Sequence, residues 1–496
     1  MSPKRKSRRH SPRGWSNLVD FAAAKERNLF IVVALPLMLL FILTMRWTLP
    51  VNIDAFTNSI SAYYIGTTGS AIATEHQELA DSDVAHQFSW FVDNGYGAVS
   101  PYPPGGPYLA AIPYALSSPE LLPITLTSTA YEDSKLESSV PTVWPASLVA
   151  ALSSALAMGF LALAFGRVGS ASQAIIAAYT AALGTSVWSV ASDQLWQHGP
   201  SLMFLAGGVY LTLSRRWLLA GLLFGFAVFS REQNLIALAL LGLSYSLVDR
   251  TPRPALLMAL GSVPGVGALL WHNWTYLGIM GIDGFDLSDV SSARLMSLGL
   301  VAVVGVGALV FVGRVRLPVR PRVRAATGVL LLIVWLGLAF AGFRLDTQFA
   351  GVQVSVGGGP VVDLADAAPA EQTPLTRLAQ FGWNSFQGVA GLDQGFLWWS
   401  PFLLVLLFAF PSAWRSSTVE PKLFLAAGLV LLVVQYWFQV YGHGAMFSYR
   451  YALEPLLVSS PFWFQAYRSH GWPVGVAAAS VISVALHASG AIFNLV

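Results

Sequence analysis

Residues 27–56 read RNLFIVVALPLMLLFILTMRWTLPVNIDAF. No ionisable side chain falls between Leu29 and Met45, and about 20 predominantly apolar residues suffice to carry a helix across a bilayer. The run resembles a signal sequence, but it is too long and lacks a small-residue cleavage site, so it reads as an uncleaved first span. Lys25 and Arg27 precede it, and Asp54 follows it. That order, with cations before the span and a carboxylate after it, sets the pattern for the whole chain.

Similar apolar runs recur at 143–165, 298–312, 328–343 and 423–440. With 55% hydrophobic and 11% charged residues, the chain lies far from a soluble domain, where about 25% charged is usual. Continuous runs without alternation exclude a β-barrel. The expected fold is all-α, a polytopic transmembrane helical bundle of about thirteen spans at 28–48, 143–166, 171–191, 199–213, 216–230, 233–247, 254–272, 294–313, 324–343, 397–412, 422–440, 452–467 and 473–492. With this arrangement 21 of the 28 Lys and Arg fall on one side and 21 of the 25 Asp and Glu on the other. The positive-inside rule then predicts a cytoplasmic N-terminus in the cell membrane.

Residues 1–27 read as a basic cytoplasmic tail with a juxtamembrane helix, and 28–496 as the membrane domain. Two long outer loops are expected, 49–141, with helical content, and 344–396. The spans at 216–230 and 233–247 are short for a core of about 30 Å, which predicts a hairpin whose polar tip sits below the membrane surface. The absence of Cys excludes thiol chemistry and disulfides. Segregated rather than patched basic residues give no reason to expect nucleic acid.

The ionisable and polar residues worth weighing gather on the non-cytoplasmic side. Asp54 sits at the lipid–water boundary, where it can cap a helix starting at Ala55 or act on a hydroxyl. Asp81 and Asp83 have hard-oxygen character suited to Mg, Mn or Ca, although such a run is commonly solvated surface; no cofactor is required by the sequence. Gln194 and His198 share a face if their turn is helical, in a stretch where an interfacial aromatic belt is the simpler reading. Arg231 and Glu232 form either a mutually neutralising pair or part of a site. Tyr102-Pro103-Pro104-Gly105-Gly106 fixes a turn into a short helix. His443, Tyr449 and Arg450 lead into the twelfth span, with Arg450 and Glu454 spaced to pair, and a guanidinium suits a phosphate because its donor fork can bind two oxygens.

Taken together, the chain resembles the GT-C superfamily of polytopic glycosyltransferases, and is similar to the bacterial protein O-mannosyltransferases and lipid A aminoarabinose transferases. Asp54 after the first span, the long first outer loop and the Tyr102–Gly105 turn carry part of the likeness. The stretches Gly391-Leu392-Asp393-Gln394-Gly395-Phe396-Leu397-Trp398-Trp399-Ser400-Pro401 and His443 to Tyr451 carry the rest. The sequence departs from that pattern in having Asp54-Ala55 rather than an Asp-Glu pair, and Ser448-Tyr449 where Gly-Pro is usual.

The resemblance implies a polyprenyl-phosphate sugar as donor and a glycan, lipid or protein hydroxyl as acceptor, with membrane lipids around the site. It assigns Asp54 as general base in an inverting transfer. Arg450, joined by Arg231, would hold the lipid phosphate, and Glu232, His443, His198, Gln194 and Tyr449 complete the residues that would bind the donor's phosphate or sugar. A transporter or flippase of lipid-linked saccharides is the main rival reading, but it would be expected to show paired repeats and midplane charges. A non-catalytic cell-envelope assembly protein is the other.

Overall fold

The computed structural model describes residues 13–48, 53–81, 91–127, 135–279, 281–282, 285–286, 305, 333, 336–340, 374–392, 394–438 and 448–493. The architecture is an all-α helical bundle. Along the chain come α1 (Arg13–Ala24), α2 (Glu26–Thr44), α3 (Ile53–Thr68) and α4 (Gly105–Leu116), then a hairpin of β1 (Leu121–Thr127) and β2 (Lys135–Pro141). There follow α5 (Trp144–Val168), α6 (Ala171–Leu183), α7 (His198–Leu213), α8 (Trp217–Ser230), α9 (Asn234–Asp249) and α10 (Arg253–His272). After the region near 280–373 come α11 (Pro374–Ala390), α12 (Pro401–Phe408), α13 (Val419–Phe438), α14 (Leu453–Ser469) and α15 (Pro473–Phe493). Among the described residues five helices are long and apolar enough to cross a membrane: Glu26–Thr44, Trp144–Val168, Arg253–Leu277, Val419–Phe438 and Pro473–Phe493.

α5 is apolar all round, as a helix at the centre of a bundle must be, and it packs against α2, α6 and α7. Pro145 at its start costs nothing, because the first-turn N–H groups lack intrahelical partners in any case,. A capping box from Ser170 and Gln173 opens α6. The span expected at 397–412 is instead three short helices, Phe396–Trp399, Pro401–Phe408 and Phe410–Ser416. Pro411, at the start of the third, has no N–H to continue the second. The spans expected at 294–313 and 324–343 fall almost wholly outside the described residues.

The short pair α8 and α9 forms the predicted hairpin, 14 and 16 residues long. Its tip, Arg231 and Glu232, is buried. α8 meets α10 through facing glycines, Gly221 and Gly225 on one and Gly261 and Gly265 on the other. A Cβ at Gly221 would meet the Met258 carbonyl, and one at Gly261 the Leu218 carbonyl. Small residues four apart allow this backbone approach, which supplies the packing that apolar side chains alone do not supply in lipid. Gly221→Ala is therefore expected to cost about 1–3 kcal/mol through overpacking and to lower the melting temperature in detergent. Gly267→Ala, in the same helix pair but with open space around it, should be neutral or stabilising.

The first outer loop is mixed rather than purely helical. Its helices α3 and α4 are followed by the antiparallel β1–β2 hairpin, which leads to α5 and sets Leu122 opposite Val140. α3 and α4 pack closely at Gly66, where a Cβ would lie 2.5 Å from the Ala111 carbonyl. Tyr64 of α3 hydrogen-bonds His76 at 2.7 Å, and burial pushes the Tyr64 hydroxyl up to about 12.

Charged connections gather at one end of the bundle. There Arg167 pairs with Glu26, Tyr210 donates to Glu26 at 2.7 Å, and Arg215 bridges Asp249 and Glu420 at 2.8 Å each. The other ends of these helices carry Asp54, Asp193, His198, Arg231 and Arg450, and the site builds from them.

Candidate active site

α3 begins at Ile53, so Asp54 lies in its first turn rather than capping it. A carboxylate there is favoured by the helix N-terminus. Arg450 Nη1 donates to Asp54 Oδ2 at 2.5 Å, and both side chains are largely buried. Arg450 Nη2 donates to the Tyr451 hydroxyl at 2.9 Å. Its guanidinium carbon lies 5.0 Å from the Trp196 ring centroid and 4.7 Å from that of Tyr451, so two aromatic rings hold the cation by cation–π attraction,. The Tyr102 hydroxyl lies beside Asp54; burial, reinforced by the Asp54 charge, pushes the phenol well above its ordinary range and keeps it protonated. The Tyr-Pro-Pro-Gly turn thus delivers a side chain to the carboxylate.

One helical turn beyond Arg450 a second buried cluster forms. His198 is the first residue of α7, and its Nδ1 lies 2.9 Å from Glu454 Oε1. Arg231 Nη1 lies 3.0 Å from His198 Nε2 and 3.5 Å from Glu454 Oε2, while its Nη2 donates to Gln435 Oε1 at 3.3 Å. A neutral imidazole donating from Nδ1 to Glu454 accepts at Nε2 from Arg231, whose Nη1 lies over the ring edge, 2.7 Å from Nδ1 as well. Arg231 and Glu454 then form a buried ion pair with His198 between them.

Two expected pairings are corrected by this arrangement. Arg450 pairs with Asp54, not with Glu454. Arg231 takes Glu454, not Glu232, because the tip of the α8–α9 hairpin turns Arg231 inward toward α7 and α14. Gln194 and His198 do not share a helical turn: α7 starts at His198, and Gln194 is buried in the preceding connection. That connection is held by Arg46 with Asp193 at 3.3 Å and by Asn58 Nδ2 donating to the Leu195 carbonyl at 2.9 Å. It places Trp196 under Arg450.

Tyr449 faces away from this cluster into a buried hydroxyl network behind it. Its hydroxyl is 2.7 Å from Ser400 Oγ, which in turn donates to the Gly184 carbonyl at 2.7 Å. His487 of α15 takes part through Ser189 Oγ at 2.8 Å and Ser400 Oγ at 3.3 Å. Ser448 Oγ reaches Ser186 Oγ at 2.8 Å. Ser448 has φ 60°, a left-handed conformation costing a side-chain-bearing residue about 1–2 kcal/mol. The hydrogen bonds to Ser186 and Ser189 hold the serine in a conformation that favours glycine,. Ser448→Gly is expected to keep the fold and the melting temperature within a few degrees, whereas Ser448→Val should lower it by more and displace Arg450.

His487, Ser400, Ser189, Gln435 and Trp196 were not singled out from sequence. His487 had a usable signal, an ionisable residue inside the apolar run 473–492, which in a membrane helix marks a partnered or functional group. The others carry no such mark. His443 and Asp83 lie outside the described residues, and Asp81 ends a short helix, Glu78–Asp81. Among the described residues no group of three or more His, Asp or Glu is placed to hold a metal ion.

No protein-family model matches this sequence, and no curated protein matches it. Among solved structures the chain is similar to the oligosaccharyltransferase of Archaeoglobus fulgidus in its apo form, at 14% identity and a TM-score of 0.40. The alignment covers 94% of this chain and 56% of that one, so this chain spans little more than half that protein's length. A likeness of that degree carries no argument about activity.

Proposed function

We propose that this chain is a membrane glycosyltransferase of GT-C type. It would move a sugar from a polyprenyl-phosphate donor to an acceptor hydroxyl on the non-cytoplasmic face, with inversion and with Asp54 as general base. The observation that carries this reading is the convergence of Asp54, Arg450, His198, Arg231 and Glu454, from four separate stretches of chain, around the start of α14. A carboxylate beside two buried guanidiniums, at the end of an apolar bundle, suits a reaction whose leaving group is an anionic lipid phosphate.

The mechanism follows from competition for Arg450. With no donor, the guanidinium is spent on Asp54. A donor phosphate offers the same guanidinium two oxygens, and Arg450 Nε has no protein partner among the described residues to give up,. Arg450 then turns to the phosphate and frees Asp54 to take the proton of the attacking hydroxyl. The hydroxyl oxygen bonds the anomeric carbon as the carbon–oxygen bond to the lipid phosphate breaks. Direct attack from the opposite face inverts the centre, as in single displacement at glycosides. Arg231, fixed by Glu454, adds positive potential for the departing phosphate. One isoprene unit of the prenyl chain would fit the apolar cavity of about 90 Å3 between α5, α6, α12, α14 and α15, which Leu453, the neighbour of Glu454, helps to line.

Reconstituted protein given a panel of polyprenyl-phosphate sugars should release lipid phosphate only with a cognate sugar and acceptor. Movement of intact lipid-linked sugar across the bilayer, with no phosphate released, would favour a flippase instead.

A further inference from the structure

Along α3, Asp54, Thr57, Asn58 and Ser61 follow the i, i+3, i+4, i+7 spacing of one helix face,. All but Asp54 are buried. Asn58 uses its amide nitrogen on the Leu195 carbonyl, yet its Oδ1, Thr57 Oγ1 and Ser61 Oγ have no hydrogen-bond partner among the described residues. Buried polar atoms are nearly always partnered, so three orphans on one helix face call for an explanation.

Ser61 lines a small cavity of about 10 Å3 together with Ser100, Tyr102, Pro104, Pro107 and His272. That volume holds one water-sized group. Its walls are fixed. The Pro-Pro-Gly turn is packed onto the end of α8, where a Cβ on Gly105 would lie 2.5 Å from Ser230 Oγ. His272, the last residue of α10, is buried with its Nδ1 3.4 Å from the Tyr108 hydroxyl. Tyr102 lines the cavity and also lies beside Asp54. Among the described residues no Lys or Arg lines the cavity, so an anionic group meets no counter-charge from them, whereas a neutral hydroxyl meets a serine, a tyrosine and an imidazole.

We propose that this cavity is a specificity pocket that admits one hydroxyl of a sugar, read by Ser61 and His272 beside the Asp54–Tyr102 contact. The inference rests on the glycosyltransferase reading and adds to it the feature of the sugar that is recognised. The hydroxyl can belong to the donor sugar or to a sugar acceptor, and the test separates the two.

Wild type, Ser61→Ala and His272→Asn would be reconstituted and assayed for released lipid phosphate in two arms. One arm uses polyprenyl-phosphate hexoses and their monodeoxy analogues; the other uses the best donor with alkyl hexosides and their monodeoxy analogues as acceptors. In wild type, removal of one particular hydroxyl in one arm should lower the rate about tenfold or more, the worth of a good hydrogen bond. Ser61→Ala should shrink that ratio to about twofold, and the arm in which it shrinks names the sugar. Ser61→Ala removes only an unpartnered oxygen, so folding is not at issue, and His272→Asn gives an independent check. Equal ratios in all three proteins would overturn the pocket while leaving the transfer reaction standing. Release from no donor by wild type would overturn the transfer reading and the pocket with it.

Discussion

Asp54→Asn should lower sugar transfer by 10²–10⁴-fold, the usual contribution of a positioned general base, while donor still binds. Asn keeps the shape of the side chain and can accept a hydrogen bond from Arg450, but it cannot take the acceptor's proton. The donor phosphate would also find Arg450 no longer held by a carboxylate 2.5 Å away. Donor affinity should therefore stay level or rise as turnover falls, an opposed pair of changes that a misfolded variant would not produce. Single-turnover release of lipid phosphate, measured beside equilibrium binding of the donor, separates the two. Normal turnover by Asp54→Asn would refute its assignment as base.

The second large effect is on stability. Glu454→Ala leaves Arg231 charged and buried between α7, α8 and α13 with no carboxylate, and breaking a buried pair from one side costs about 3–5 kcal/mol. Arg231→Met should cost a similar amount, because it strands Glu454. The double replacement of Arg231 and Glu454 by Met should recover much of the loss, since an apolar pair of similar volume is often as stable as the ion pair it replaces. It should also be inactive. Thermal melts in detergent or nanodiscs would show this cycle. Single variants melting with wild type would mean that Arg231 and Glu454 do not face each other in the folded protein.

The helices were legible because their signal is local. Long apolar runs ended by Arg, Pro or Gly predict a span at 143–166, and α5 occupies Trp144–Val168. The short hairpin at 216–248 was equally readable, since two 15-residue apolar runs joined by Arg231-Glu232-Gln233 leave few alternatives. The β1–β2 hairpin was not, because the residues between Thr127 and Lys135 include no Gly, Pro or Asn to announce a turn and with it the pairing,. The same limit applies to the site. Candidate residues stood out as ionisable groups beside apolar runs, but their partners did not. Arg450 and Glu454 have the spacing of a helical pair, and only the packing of α3 and α7 beside α14 shows that each is claimed by another helix. Hydroxyls such as Ser400 and Ser189 carry no sequence mark at all until His487 is seen among them.

The central claim is that donor phosphate and Asp54 compete for Arg450. It is tested most directly by a structure of the protein with a non-hydrolysable polyprenyl-phosphate sugar bound. The account predicts phosphate oxygens within about 3 Å of Arg450. It also predicts that the Asp54 carboxylate will have separated from the guanidinium and will face the anomeric carbon from the side opposite the phosphate. A bound donor with the Asp54–Arg450 pair intact and the phosphate elsewhere would contradict it.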